Sequence, residues 1–222
     1  MKTSSRIGLL AAFAALIVAV VPAVANAGTL FGSGSSASTP YLEALAKGYK
    51  KVQPNLKIVY TANNGNAGAQ DVQKGKSQFA LQTRPPLPSD SGLAYSKLFL
   101  DGLCVAVNPA NNLNNLAVKQ VKDIYLGTVT EWSGVGTSLN APISAFGRFS
   151  TAGLYTFFKS AVLEGKNQAS NVTALDKDGE VAVAVRGNRN GIGYVGLANS
   201  GPKSGVKRLA LNGKACEAAQ IR

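Results

Sequence analysis

The chain has 222 residues, with 23 Lys and Arg against 11 Asp and Glu, no histidine, 24 glycines and 45% apolar side chains. That apolar share excludes a polar disordered chain, and the missing histidine excludes histidine-based metal or acid–base chemistry. A formal charge of +12 points to anionic partners without saying whether they are small ions, nucleic acid or an acidic surface.

Lys2 and Arg6 precede an apolar stretch at 7–21, and Ala25-Asn26-Ala27 offers the small side chains that a signal peptidase reads. The stretch is shorter than the ~20 residues that span a bilayer. Residues 1–27 are therefore expected to be a cleaved signal peptide, releasing a mature protein that does not span the membrane, in the periplasm or secreted. The remainder, 28–222, keeps 195 residues at net +10, enough for one large domain or two small lobes. Cys104 and Cys216 leave two outcomes open. They can pair in an oxidising compartment, or Cys104, inside Leu103-Cys104-Val105-Ala106-Val107, can be a buried thiol.

In chain order, 29–31 reads as a strand that runs into Gly32-Ser33-Gly34-Ser35-Ser36. Tyr41, Leu42, Leu45, Ala46 and Tyr49 recur at helical spacing, with Ser38 or Thr39 as cap and Pro40 in the first turn. Residues 56–60 predict a second strand, ending in Asn63-Asn64-Gly65-Asn66-Ala67-Gly68 and a short helix to Gln73. Residues 79–82 predict a third, stopped by Arg84-Pro85-Pro86. The apolar strand at 103–107 ends at Asn108-Pro109. Val118, Val121, Ile124 and Tyr125 then share one helix face. A strand at 143–146 delivers Gly147-Arg148-Phe149-Ser150-Thr151-Ala152-Gly153, followed by a helix that turns Leu154, Phe157, Phe158, Ala161 and Val162 inward. A helix at 180–186, a strand at 191–196 and a last strand at 206–209 complete the chain. Alternating strands and helices predict an α/β fold with a largely parallel sheet.

Three loops, at 32–38, 63–68 and 148–153, each follow a strand and open a helix. A helix N-terminus presents unpaired N–H groups and a positive dipole end, and small residues let an anion approach them. Arg148 adds a rigid fork of donors suited to an oxyanion. Other chemistries find no residues: there is no GxxxxGK[ST] loop and no Gly-x-Ser-x-Gly elbow. Asp176, Asp178 and Glu180 lack the twelve-residue calcium pattern and read as a solvated turn. Basic residues are scattered, with a small group at Lys203, Lys207 and Arg208 and no aromatic-interleaved stripe for nucleic acid. No metal, cofactor or catalytic residue is expected.

These residues carry a likeness. Val107-Asn108-Pro109, Asn115-Leu116, Gln120-Val121-Lys122-Asp123-Ile124-Tyr125-Leu126-Gly127 and Thr130-Glu131-Trp132 match the central segment of the PstS-like phosphate-binding proteins of ABC importers, a branch of the type II periplasmic binding proteins. Gly147-Arg148-Phe149-Ser150 resembles the arginine-led anion loop of that family. Gly32-Ser33-Gly34-Ser35-Ser36 resembles its first loop, Thr83-Arg84-Pro85-Pro86-Leu87 its third, and Gly191-Ile192-Gly193-Tyr194-Val195 its glycine–tyrosine strand.

The resemblance implies two α/β lobes around a cleft, the first formed by about 28–103 plus 196–222 and the second by about 104–195. It also implies a monomer that holds phosphate or another small oxyanion and meets an ABC permease. Ser36, Thr83, Arg84, Arg148, Ser150, Thr151 and Gly153 are its implied ligand-binding residues. The departures are Gly65 and Thr83, where the family places a serine and an aspartate, and Ala152 and Leu154, where it places a serine and a threonine around the glycine. Ser150 and Thr151 are the substitutes for that last pair. The expected function is extracytoplasmic solute binding without catalysis. The alternative is a structural or adhesive extracellular protein with a degenerate anion site.

Overall fold

A computed structural model describes residues 28–220, so the signal-peptide reading of 1–27 lies outside the described residues. The first sheet joins β1 (Thr29–Gly34), β2 (Lys57–Thr61) and β3 (Phe79–Leu81) in the order β2-β1-β3, all parallel. Parallel neighbours need crossovers, and α1 (Thr39–Tyr49) and α2 (Gly65–Gln73) supply them. Close packing of α2 on the end of β1 depends on glycine: a Cβ on Gly68 would lie 2.5 Å from the Gly34 Cα. The apolar positions of α1 predict the helix correctly but bury little, with Leu45 48% and Tyr49 47% exposed.

The second sheet is mixed, and here the expectation of a largely parallel sheet needs correction. It contains β4 (Leu103–Val107), β6 (Ser144–Arg148), β7 (Thr173–Leu175), β8 (Gly191–Gly196) and β9 (Lys207–Arg208), in the order β7-β6-β8-β4-β9. Strand β6 runs parallel to β7 and β8, whereas β4 is antiparallel to both β8 and β9. A small parallel pair joins β5 (Asn115–Leu116) to β10 (Ala210–Leu211).

Strand periodicity divides the interior into two layers. Val105, Val107, Ile192 and Tyr194 pack with Tyr125, Trp132 and Phe158 on one face. Ala106 and Val195 pack on the other against Val181 and Val185 of α5 (Asp178–Gly187). The first layer is covered by α3 (Val118–Tyr125) and α4 (Gly153–Ala161). Within α4, Leu154 and Phe158 are buried, but Phe157 is 47% exposed, contrary to its expected inward position. Leu154 and Phe158 are one i,i+4 pair on one face, and Phe157 lies off that stripe.

In the C-terminal segment β9 pairs with β4 and β10 with β5. Cys104 and Cys216 form a disulfide with Cα atoms 5.6 Å apart, tying the tail to β4. Arg208 Nη1 donates to the Cys216 carbonyl at 3.0 Å beside it. The paired cysteine removes the buried-thiol alternative.

Candidate anion-binding site

The C-terminal ends of β1, β3, β6 and β7 bring four loops together, the place where open α/β sheets leave a crevice. Ser35 follows β1 and is tied to β3 by its N–H, which donates to the Leu81 carbonyl at 2.9 Å. Its hydroxyl donates to Thr83 Oγ1 at 3.4 Å, and Tyr60 Oη donates to its carbonyl at 2.9 Å. The next hydroxyl, Ser36 Oγ, accepts the N–H of Asp178 at 3.1 Å and so joins the first loop to the start of α5. Two further contacts join the sheets' loops. Asn66 Nδ2 donates to the Thr151 carbonyl at 3.0 Å, and a Cβ on Gly153 would lie 2.6 Å from Thr83 Oγ1.

Arg148, the last residue of β6, is 2% exposed. Its N–H donates to Tyr194 Oη at 2.9 Å and its carbonyl accepts from Gln168 Nε2 at 3.1 Å. On the side chain, Nε donates to the Leu175 carbonyl at 3.2 Å and Nη2 to the Asp176 carbonyl at 2.5 Å. The third nitrogen, Nη1, lies 3.6 Å from Asp178 Oδ1. Burial lowers the guanidinium pKa, and the charge of Asp178 opposes that shift. The Asp178 carboxyl is pushed up to about 6 by burial, against Arg148 and the Gly196 N–H, which donates to it at 3.1 Å.

Asp178 is the residue that sequence reasoning missed. The expected solvated turn is instead a fully buried carboxylate, because its counter-charge comes from a different strand end. A local signal was present: β7, its loop and α5 repeat the strand–loop–helix pattern. Glu180 also accepts the Lys177 N–H at 3.1 Å, as a capping residue three positions on should.

Beside Arg148, α4 begins at Gly153 after Ala152, an extended residue with no side-chain cap. The first intrahelical bond runs from the Thr156 N–H to the Ala152 carbonyl, and among the described residues no protein acceptor meets the N–H groups of Gly153, Leu154 or Tyr155. Unsatisfied donors at the positive end of a helix are suited to an anion.

The expected site residues therefore separate. Ser36, Thr83, Arg148 and Gly153 come together. Arg84 lies nearby, but its donors are engaged. Nη1 and Nη2 clasp Asp90 at 2.7 and 3.0 Å, Nε donates to Asn66 Oδ1 at 2.7 Å, and Nη1 also meets the Pro85 carbonyl at 2.9 Å. Arg84 thus orders the third loop. Ser150 and Thr151 sit exposed on the turn before α4, and Thr151 faces the first lobe through its backbone carbonyl.

Two α/β units whose strand-end loops share a buried arginine and a set of open N–H groups define a two-lobed binding protein of type II architecture. The chain belongs to the PBP superfamily, whose domain it matches over residues 20–220, and within it is PstS-like. It is 26% identical over 93% of its length to Protein SphX of Synechococcus elongatus, covering 66% of that protein. It is 30% identical over 86% of its length to Phosphate-binding protein PstS of Staphylococcus epidermidis, covering 62% of that protein. The chain thus spans just under two thirds of these relatives. Among solved structures, a protein assigned as a phosphate ABC transporter substrate-binding protein, from Clostridium perfringens with bound phosphate, superposes with a TM-score of 0.80 and 26% identity. That match covers 86% of this chain and 79% of the other. An ABC-type phosphate transport receptor from Vibrio cholerae shares the fold, with a TM-score of 0.62 at 23% identity over 86% of this chain and 79% of that one.

Proposed function

We propose that this chain is an extracytoplasmic solute-binding protein that holds phosphate or a related oxyanion between its lobes and hands it to an ABC importer without transforming it. The observation that carries this reading is the pairing of buried Arg148 with the open N–H groups of Gly153, Leu154 and Tyr155 across from Thr83 and Ser36. The names of the PstS relatives and of the Clostridium structure support phosphate as the ligand class. The chain's place among periplasmic binding proteins supports location outside the cytoplasm.

In this arrangement Arg148 supplies charge-assisted bonds, the helix supplies neutral N–H donors, and Ser36 and Thr83 supply hydroxyls. Asp178 already offsets part of the arginine charge, so the N–H donors carry a large share of the binding. Thr83 stands where a carboxylate would accept a proton from a protonated oxyanion. A missing charge-assisted bond of that kind weakens a ligand by roughly 1.5–3 kcal/mol. Calorimetric titration of the purified chain with phosphate and sulfate tests the proposal. Saturable binding of either supports it, and no saturable binding at millimolar concentration overturns it.

A further inference from the structure

Next to the oxyanion donors lies a cavity of about 810 Å³ that an inorganic anion cannot fill. Thr83 and Leu154 belong to both: the Thr83 hydroxyl touches the start of α4, and the Leu154 N–H is one of the open donors. Away from that edge the walls are mostly apolar, built by Tyr95, Leu98, Phe99 and Phe157 alongside Lys97 and Asp101. The four apolar side chains are 37–59% exposed, so the cavity presents apolar surface to whatever enters it. Its volume lies within the range of about 300–1,000 Å³ that organic ligands occupy.

One wall is the irregular segment between the turn Pro88–Asp90 and β4, which is anchored at both ends. At the first end Tyr95 Oη donates to Asp90 Oδ2 at 2.8 Å, and Asp90 is clasped by Arg84. At the other, Tyr41 Oη donates to Asp101 Oδ1 at 2.7 Å, and the Tyr41 ring packs on Phe99 with centroids 4.6 Å apart. The wall is therefore held in place, and it leaves its apolar side chains uncovered.

We propose that the ligand of this protein is an organic oxyanion, a phosphomonoester with an aryl or short alkyl group. Its oxyanion lies on Arg148 and the N-terminus of α4, and its apolar group lies in the cavity. This rests on the anion-binding reading above and narrows it. Charge complementarity places the head where open N–H groups lie beside a buried cation, because Arg84, which also lines the cavity, has its donors engaged by Asn66, Pro85 and Asp90. The apolar walls place the tail, since covering them removes exposed surface from water.

Calorimetric titration with phenyl phosphate, inorganic phosphate and benzyl alcohol tests the inference on the full chain. Phenyl phosphate is expected to bind about tenfold or more tightly than phosphate, with no saturable benzyl alcohol binding. In Phe157→Ser and Leu98→Ser, both at exposed positions, the ratio of the two phosphate affinities should fall toward one. Phosphate binding without an advantage for phenyl phosphate overturns this inference and leaves the anion site standing. Failure of both ions to bind overturns both. Benzyl alcohol binding as tightly as phenyl phosphate, or an advantage that survives both serine variants, also overturns it.

Discussion

Arg148 Nη1 lies 3.6 Å from Asp178 Oδ1, and neither residue is more than 2% exposed. That separation is longer than the 2.7–2.9 Å typical of a charge-assisted hydrogen bond, so the two attract through space without a close bond. Of the five guanidinium N–H groups, one on Nε and one on Nη2 go to backbone carbonyls, which leaves the Nη1 edge without a close acceptor. Asp178 thus balances the arginine without occupying it.

Arg148→Ala should abolish measurable oxyanion binding, a loss of about 100-fold or more. It should also cost about 3–5 kcal/mol of stability, because Asp178 is left buried without its counter-charge. Adding Asp178→Asn to Arg148→Ala should recover much of the stability and none of the binding. Titration calorimetry and urea melts of the three variants separate the two effects.

The pH dependence of Asp178 follows from its direction. Burial raises its pKa from 3.8 to about 6, so the folded state holds this proton more tightly than the unfolded one. Its contribution to stability is complete below pH 3.8 and is lost as pH rises through about 6, a term of about 3 kcal/mol. Protonation also leaves Arg148 uncompensated, so sulfate, which does not titrate here, should bind more tightly at pH 5 than at pH 7.5. Asp178→Asn should flatten both profiles. A sulfate affinity that does not change with pH in the unmodified chain would contradict this account.

Arg84 should behave differently from Arg148. Arg84→Ala breaks a buried clasp and should cost about 3–5 kcal/mol, while oxyanion affinity stays within about tenfold of the unmodified chain. The hydrogen bond from Arg84 holds the Asp90 carboxyl well below the usual carboxylate range. That stabilisation is full well above pH 4 and fades as pH falls toward the depressed folded value, so the stability deficit of Arg84→Ala should begin to shrink below about pH 4. Urea melts from pH 3 to 7 check this.

Gly153 and Thr83 form a steric pair. Gly153→Ala places a Cβ 2.6 Å from Thr83 Oγ1, which should part the loops and weaken oxyanion binding about tenfold. Thr83→Ala removes both the opposing oxygen and a ligand hydroxyl, so in a Thr83→Ala background the Gly153→Ala change should cost little further affinity. An equal Gly153→Ala loss in both backgrounds would show that the contact is not the cause.

Reduction of Cys104–Cys216, or replacement of both by serine, should lower stability by about 2–4 kcal/mol, because the bond closes 112 residues of chain. Oxyanion affinity should change little, since the bond lies on β4 and the tail and does not reach Arg148 or Gly153. Thermal melts with and without reductant, paired with titrations, measure both.

By itself the sequence determined the alternation of strands and helices, the loops that open each helix, and Arg148 as the cation among them. These are encoded locally: apolar spacing sets the element, and small or hydroxyl residues mark where strand gives way to helix. Thr29–Gly34 and the helix at Gly153 followed from such patterns. What spacing cannot encode is which side chain meets which across the fold. Asp178 reads as one member of an acidic turn until β6 and β7 pair in register and set it beside Arg148. Arg84 and Arg148 look alike as arginines at strand ends. Only packing shows that Asp90 occupies the first and that the second keeps free donors. The direction of the tail was decided in the same way, by pairing of β9 with β4 and by the disulfide. Burial changes the free energy of a charge by several kcal/mol according to its partner, and that partner is fixed by tertiary structure. The basic count with which the chain announces itself therefore says little about its ligand; one buried arginine and its distant carboxylate say more.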